Sequence, residues 1–185
     1  LGPQIELVTN TTFDRSTGTY GADPALTRDI TAAFVNGLQS TFDENGEDLG
    51  WGTDSVIDIM KHFAGAGSAE GGRNDHNEEG RYTIYPGKAF EAAVIAVADG
   101  AFNLSGKTER AAGLMPNYAV SYDKNKKLGE WVAGAYSEYK LGLARAMGFD
   151  GIVVSDWGIV EDGDKTWGME DYTVAERHAA LYKNG

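Results

Sequence analysis

The chain has 185 residues, a formal net charge of −12 and no cysteine. The charge disfavours a nucleic-acid or anionic-membrane surface. The missing thiols exclude disulfides, thiolate metal sites and cysteine nucleophiles. No run of 18 apolar residues offers a membrane-spanning helix, and the length suits one domain with a sizeable core.

The chain opens at Leu1 without a recognisable secretory leader and without Met, as a processed or cut chain would. Gln4–Val8 is a short apolar run and a strand candidate. A polar loop over 9–23 follows, with Arg15 inside it. Asp23-Pro24 predicts a helix start, with Asp as N-cap and Pro in the first turn. Leu26, Ile30, Ala33, Phe34 and Leu38 then form one apolar face of a helix ending at Gly37-Leu38-Gln39. The acidic, Gly-rich stretch 41–54 reads as loop. Val56–Phe63 is the second strand, with Lys61 and His62 at its C-terminal end. The long Gly-rich loop 64–82 is of the kind that carries function.

A helix is expected over 86–100, with Phe90, Ala93, Val94, Val97 and Ala101 on one face. Gly113–Tyr118 is the third strand, ending in Asn117 and Tyr118. A long amphipathic helix is expected over 128–147, closed by Gly148. Gly151-Ile-Val-Val154 reads as a strand buried on both faces, followed at once by Ser155, Asp156 and Trp157. A polar loop over 158–173 and a helix over 174–183 complete the chain. From the last strand alone, Asp156 reads at least as well as a turn-capping residue, and Trp157 as core.

Strand, loop and helix thus recur four times, with strand ends at Val8, Phe63, Tyr118 and Ser155 separated by 55, 55 and 37 residues. Repeated units of this size imply an α/β fold with a parallel sheet. A (β/α)8 barrel needs eight such units. The chain is therefore expected to be either an open doubly wound sheet or part of a TIM-type barrel within a larger multidomain chain.

The strand ends together resemble the N-terminal barrel domain of glycoside hydrolase family 3. Arg15, eight residues before Asp23-Pro24, is similar to the Arg of the family's Gly-Arg…Glu-Asp-Pro segment, although Asp14 and Ala22 stand where Gly and Glu are usual. Gly37-Leu38-Gln39 matches the end of a family helix. Lys61-His62-Phe63-Ala64-Gly65 matches the Lys-His-Phe motif. Met115-Pro116-Asn117-Tyr118 resembles Met-Pro-Ser-Tyr, with Asn for Ser. Gly148-Phe149-Asp150-Gly151…Ser155-Asp156-Trp157 matches the nucleophile motif. The resemblance runs from about Arg15 to Trp157.

The resemblance implies residues 1–185 are the central portion of one barrel domain of an exo-acting retaining β-glycosidase, foremost a β-glucosidase. β-Xylosidase, β-N-acetylglucosaminidase and an inactive carbohydrate-binding fragment are the alternatives. Asp156 would be the nucleophile. Arg15, Lys61, His62 and Tyr118 would bind the sugar, and Trp157 would wall it. The general acid/base is expected from a C-terminal domain of the same enzyme. The N-acetylglucosaminidase branch instead uses a His–Asp pair on the loop after Lys-His-Phe; here Asp75 and His76 are adjacent, Ala64 replaces Pro, and the pair reads as an ordinary polar loop feature. No cofactor or metal is expected: His62, His76 and His178 show no ligand spacing. The expected partner is an oligosaccharide or β-glucoside, with no nucleic acid or membrane. A homodimer and a secreted or periplasmic location fit the resemblance. On its own, the segment is expected to be an incomplete, inactive barrel.

Overall fold

The computed structural model describes residues 2–163 and 165–185. Helix α1 spans Pro24–Gln39, and its first turn is closed as the sequence predicts: the Asp23 carboxylate accepts from the Leu26 backbone N–H at 2.7 Å. The acidic stretch after it is not all loop. β1 (Thr41–Phe42) and β2 (Asp48–Gly50) form a small antiparallel pair. Asp43 holds the turn between them by accepting from the backbones of Asn45 and Glu47.

β3 (Ile59–Phe63) is shorter than the expected strand, and β4 (Tyr82–Ile84) follows the Gly-rich loop, which contains two 3-10 turns, Glu70–Gly72 and Glu78–Gly80. Helix α2 covers Ala89–Ala98 and buries Phe90, Ala93 and Val97 as expected. β5 (Gly113–Pro116) leads into β6 (Val120–Tyr122), helix α3 (Glu138–Ala146), β7 (Ile152–Val153) and helix α4 (Val174–Asn184). β3, β5 and β7 form one parallel sheet with β5 in the middle, and β4 pairs parallel with β6. Parallel strands alternating with helices are the expected fold class, and every strand of the main sheet ends on the same side.

Four expectations need correction. Gln4–Val8 is no regular strand. Pro3 and Ile5 each make one backbone hydrogen bond with Lys61, but the next donors go elsewhere: Val8 N–H to Gly21 and Thr9 N–H to Gly67. The apolar face of α1 does not face the core. Leu26, Phe34 and Leu38 are exposed, while Thr27, Thr31, Val35 and Gln39 are buried. The reason lies at the helix end: Gln39 Nε2 donates to Arg110 O (2.8 Å), and Gln39 Oε1 accepts from Ala112 N–H (2.7 Å). This fixes the helix rotation against the strand entry. The long helix over 128–147 is only its C-terminal half. Ser137 caps α3 by accepting from Lys140 N–H at 3.2 Å, and the preceding segment is a 3-10 turn over Gly134–Tyr136. Last, among the described residues β7 lies at the edge of its sheet, and Ile152 is 59% exposed rather than buried on both faces.

The core has two parts. Ile5, Val35, Met60, Phe63, Phe90, Val97, Leu114 and Phe149 fill the space between the main sheet and its helices. A second cluster, with Tyr118, Val120, Tyr136, Ile159, Trp167 and Met169, packs the segments that follow the C-terminal ends of β5 and β7. Apolar burial is the main stabilising term for both. The second cluster matters for chemistry because it holds the loops that carry the polar residues.

Candidate active site

The C-terminal ends of three parallel strands meet here, where an α/β sheet binds its ligands. β3 and β5 pair with a register shift between Lys61 and Phe63, which oppose Met115 and Pro116. His62 is the extra residue, and a bulge of this kind re-aims a side chain. The Lys61–His62 and Phe63–Ala64 peptide bonds are cis. His62 is buried, and its Nε2 lies 3.5 Å from Asp156 Oδ2.

Asp156 follows β7 and is 7% exposed. Its Oδ1 accepts from the Trp157 backbone N–H at 2.8 Å, so one oxygen is anchored while the other faces His62. The carboxylate thus makes the local bond of a turn-capping residue and also faces a polar cluster. Trp157 is not core; at 76% exposure its indole stands free at the rim.

Tyr118 lies just beyond β5 and is 1% exposed. Its hydroxyl donates to Trp157 O. Burial pushes the phenol far above its ordinary range, and the negative charge of Asp156 adds to the shift, while the charge of Arg15 opposes it. Arg15 therefore lies within electrostatic reach of the cluster, immediately before the 3-10 turn Ser16–Gly18 of the loop that leads to α1. Lys61 sits beside His62 on β3 and is half-buried; its ammonium makes no hydrogen bond or ion pair among the described residues. The fold thus brings His62, Tyr118 and Asp156 into contact, with Lys61 adjacent, Arg15 close and Trp157 at the edge.

Two groups in this region, Glu6 and Lys165, were not singled out from the sequence, and two more, Asp75 and His76, read there as an ordinary polar loop feature. Glu6 is 1% exposed; its Oε1 accepts from the His62 backbone N–H at 3.0 Å and also contacts His62 Nδ1. A charged residue between Ile5 and Leu7 in an apolar run was the available signal. His76 packs edge-on against the Tyr118 ring, with centroids 4.7 Å apart. Its Nδ1 lies 2.7 Å from Asn74 Oδ1 and 3.3 Å from Asp75 Oδ1. Asp75 is buried, and its backbone carbonyl accepts from Trp167 Nε1. The ammonium of Lys165 lies over the Tyr118 ring at 5.3 Å. The loop after β3 is held close by Gly67, where a Cβ would come within 2.3 Å of Leu7 O.

Among the described residues, no three His, Asp or Glu side chains are grouped so as to hold a metal ion, and no helix is long and apolar enough to cross a membrane. A groove of about 860 Å³ lined by Tyr85, Phe90, Tyr122 and Tyr139 contains none of the site residues. The candidate site residues lie apart from it, with an anchored carboxylate between an imidazole and a phenol.

No protein-family model matches the chain. Over its whole length it is 33% identical to a periplasmic beta-glucosidase/beta-xylosidase of Dickeya chrysanthemi, of which it covers 30%. It is 32% identical to beta-glucosidase C of Emericella nidulans, again over its whole length and 29% of that protein. Among solved structures, all of the chain superposes on 22% of a β-glucosidase from Erythrobacter marinus, with a TM-score of 0.65 and 26% identity. It also superposes on 22% of a β-glucosidase involved in saponin metabolism from intestinal bacteria, with a TM-score of 0.71; at 20% identity this likeness concerns the fold alone. The chain spans less than a third of the length of the curated relatives it matches. Along all 185 residues the chain is thus similar to one part of the β-glucosidases and β-xylosidases among the glycoside hydrolases, in keeping with its strand-end motifs.

Proposed function

We propose that these residues carry the nucleophile and much of the sugar subsite of an exo-acting retaining β-glycosidase, foremost a β-glucosidase. The observation that supports this reading best is the placement of Asp156: a buried carboxylate at the C-terminal end of a parallel strand, one oxygen pinned by a backbone N–H and the other facing His62. In the first step Asp156 attacks the anomeric carbon and forms the glycosyl–enzyme ester as the glycosidic C–O bond breaks. A general acid protonates the departing oxygen. In the second step water, deprotonated by the same group, attacks the anomeric carbon and releases Asp156.

Arg15 and Lys61 would hold the sugar hydroxyls, Arg15 through its planar fork of donors, with His62 lining the subsite beside the nucleophile. Tyr118 supplies a phenol beside the nucleophile, and the exposed Trp157 face would cover the apolar side of the ring. Residues 1–185 act in this reading as the central portion of one barrel domain, and a further domain supplies the acid/base. The 185 residues alone should give no turnover of an aryl β-glucoside, and full turnover would overturn that division.

A second reading rests on His76. Its ring is packed against Tyr118 and neighbours Asp75, so a His–Asp acid/base within this chain is the alternative. That arrangement goes with β-N-acetylglucosaminidase activity. A panel of nitrophenyl β-glucoside, β-xyloside and β-N-acetylglucosaminide separates these substrates. Asp156→Asn should lower kcat on the favoured substrate by at least about 10³-fold. A 2-deoxy-2-fluoroglycoside should add one sugar to Asp156, detected by mass spectrometry. Undiminished activity of the Asn variant would refute the nucleophile assignment.

The name of the Dickeya relative includes a periplasmic location, and we place this protein outside the cytoplasm as well. Cell fractionation that leaves the activity in the cytoplasm would refute it.

A further inference from the structure

Glu6 has no part in the reaction outlined above, yet it is the most deeply buried carboxylate around the site. It is 1% exposed. A buried carboxylate is retained only with compensating partners, and the partner here is one residue, His62, engaged twice. Glu6 Oε1 accepts from the His62 backbone N–H at 3.0 Å and contacts the ring at Nδ1. Glu6 Oε2 has no hydrogen-bond partner among the described residues.

An ionised carboxylate can only accept, so this contact requires a proton on Nδ1. The tautomer and plane of an imidazole are set by the bond at its other nitrogen. With Nδ1 committed to Glu6, Nε2 is turned onto Asp156 Oδ2, 3.5 Å away. The ring then stands between two carboxylates that lie 150 residues apart in the chain. Asp156 Oδ1 is meanwhile held by the Trp157 N–H. Asp156 is then anchored at Oδ1 by its own strand end and faced at Oδ2 by His62, which a buried carboxylate on a different segment holds.

We propose that Glu6 is a positioning residue, holding His62 so that its Nε2 fixes the carboxylate of Asp156 for attack on the anomeric carbon. The inference rests on the reading of Asp156 as nucleophile. It concerns the complete enzyme and is tested there with Glu6→Gln, which keeps shape and an acceptor but not the charge, and Glu6→Ala, which removes both.

The expected result is a fall in kcat of about 10²-fold for Glu6→Ala and a smaller one for Glu6→Gln, with KM changed by no more than about threefold. Losses of this order follow when a carboxylate that fixes an imidazole tautomer is removed. Nitrogen-15 NMR of histidine-labelled parent enzyme should show a proton on His62 Nδ1, assigned by its disappearance in His62→Gln. Parent-like kcat in folded Glu6→Ala, or an unprotonated Nδ1 in the parent, would overturn the proposal. If Glu6→Ala fails to fold, the Gln variant and the parent spectrum decide. The two readings fail differently: an active Asp156→Asn removes the nucleophile assignment, whereas an inactive Asp156→Asn beside a fully active Glu6→Ala removes only the role of Glu6.

Discussion

Lys140 offers the most quantitative test of the packing behind the site. It lies on α3, is fully buried, and donates from Nζ to Asn117 Oδ1 (3.3 Å) and Ala119 O (3.1 Å), bracketing Tyr118. Burial pushes its ammonium down from 10.5 to about 7; the carboxylates of Asp75 and Glu130 pull the other way but less strongly. In the unfolded chain the same group titrates near 10.5. Between about pH 7 and 10.5 the unfolded state therefore holds a proton that the native state lacks. Stability rises with pH across that window, by about 1.4 kcal/mol per unit, and levels off above it. Below pH 7 both states are charged, and the full cost, about 5 kcal/mol, is carried by the fold.

Lys140→Met removes this dependence. At pH 7 the relief is offset by two acceptors, Asn117 Oδ1 and Ala119 O, each left unpaired at about 1–3 kcal/mol, so the variant and parent should be close in stability. At pH 9.5 the parent has gained about 3 kcal/mol and the variant has not. At about 2–4 °C per kcal/mol, the gap in Tm should widen by roughly 6–12 °C from pH 7 to 9.5. Calorimetry of both proteins at both pH values measures it, and the difference of differences cancels every other titrating group. Equal pH dependence in the two proteins would show that Lys140 is charged in the native state and would refute the argument.

Arg177 should matter to the loop after β7. It is 3% exposed and donates to the carbonyls of Val160, Glu161, Met169 and Glu170 and to Asp162 Oδ1. Arg177→Met should cost at least about 3 kcal/mol and speed proteolysis within 158–171; unchanged denaturant unfolding would contradict this. Gly151 precedes β7 where a Cβ would lie 2.3 Å from Ala112 O, a backbone atom that cannot step aside cheaply. Gly151→Ala should cost about 1–3 kcal/mol and lower kcat by displacing Asp156, whereas parent-like kcat and Tm would show that β7 is free to shift.

The sequence made the order of elements readable because the main strands are short apolar runs with polar residues at one end. Caps were readable too: Asp23 accepts from Leu26 N–H as its position suggests, and Gly148 takes the positive φ of +94° expected after α3. Orientation was less so. The stripe Leu26, Ile30, Phe34 and Leu38 is an apolar face of α1, but such a face states what would gain from burial, not what the neighbours contact. The bonds of Gln39 to Arg110 and Ala112 decide that instead. The break in the expected 128–147 helix had a local sign, Ser137 followed by Glu138. The periodic apolar residues beyond it masked the sign.

The site divides along the same line. Lys61, His62, Tyr118 and Asp156 were accessible because each ends a strand or follows one, so a parallel sheet alone brings them to one rim. Glu6 and His76 lie on segments that are not strands, and their partners are 56 and 42 residues away, at His62 and Tyr118. Sequence separation carries no information about which side chain of an irregular segment turns inward. What marked Glu6 was its chemistry: a carboxylate among Ile5, Leu7 and Val8 is costly unless something answers it. The fold answers it with His62, the bulged residue that also faces Asp156. The unexplained charge in an apolar run and the extra residue in a strand are then two halves of one contact. Restoring regular pairing at Lys61–Phe63 should therefore separate Glu6 from Asp156 even with both carboxylates present.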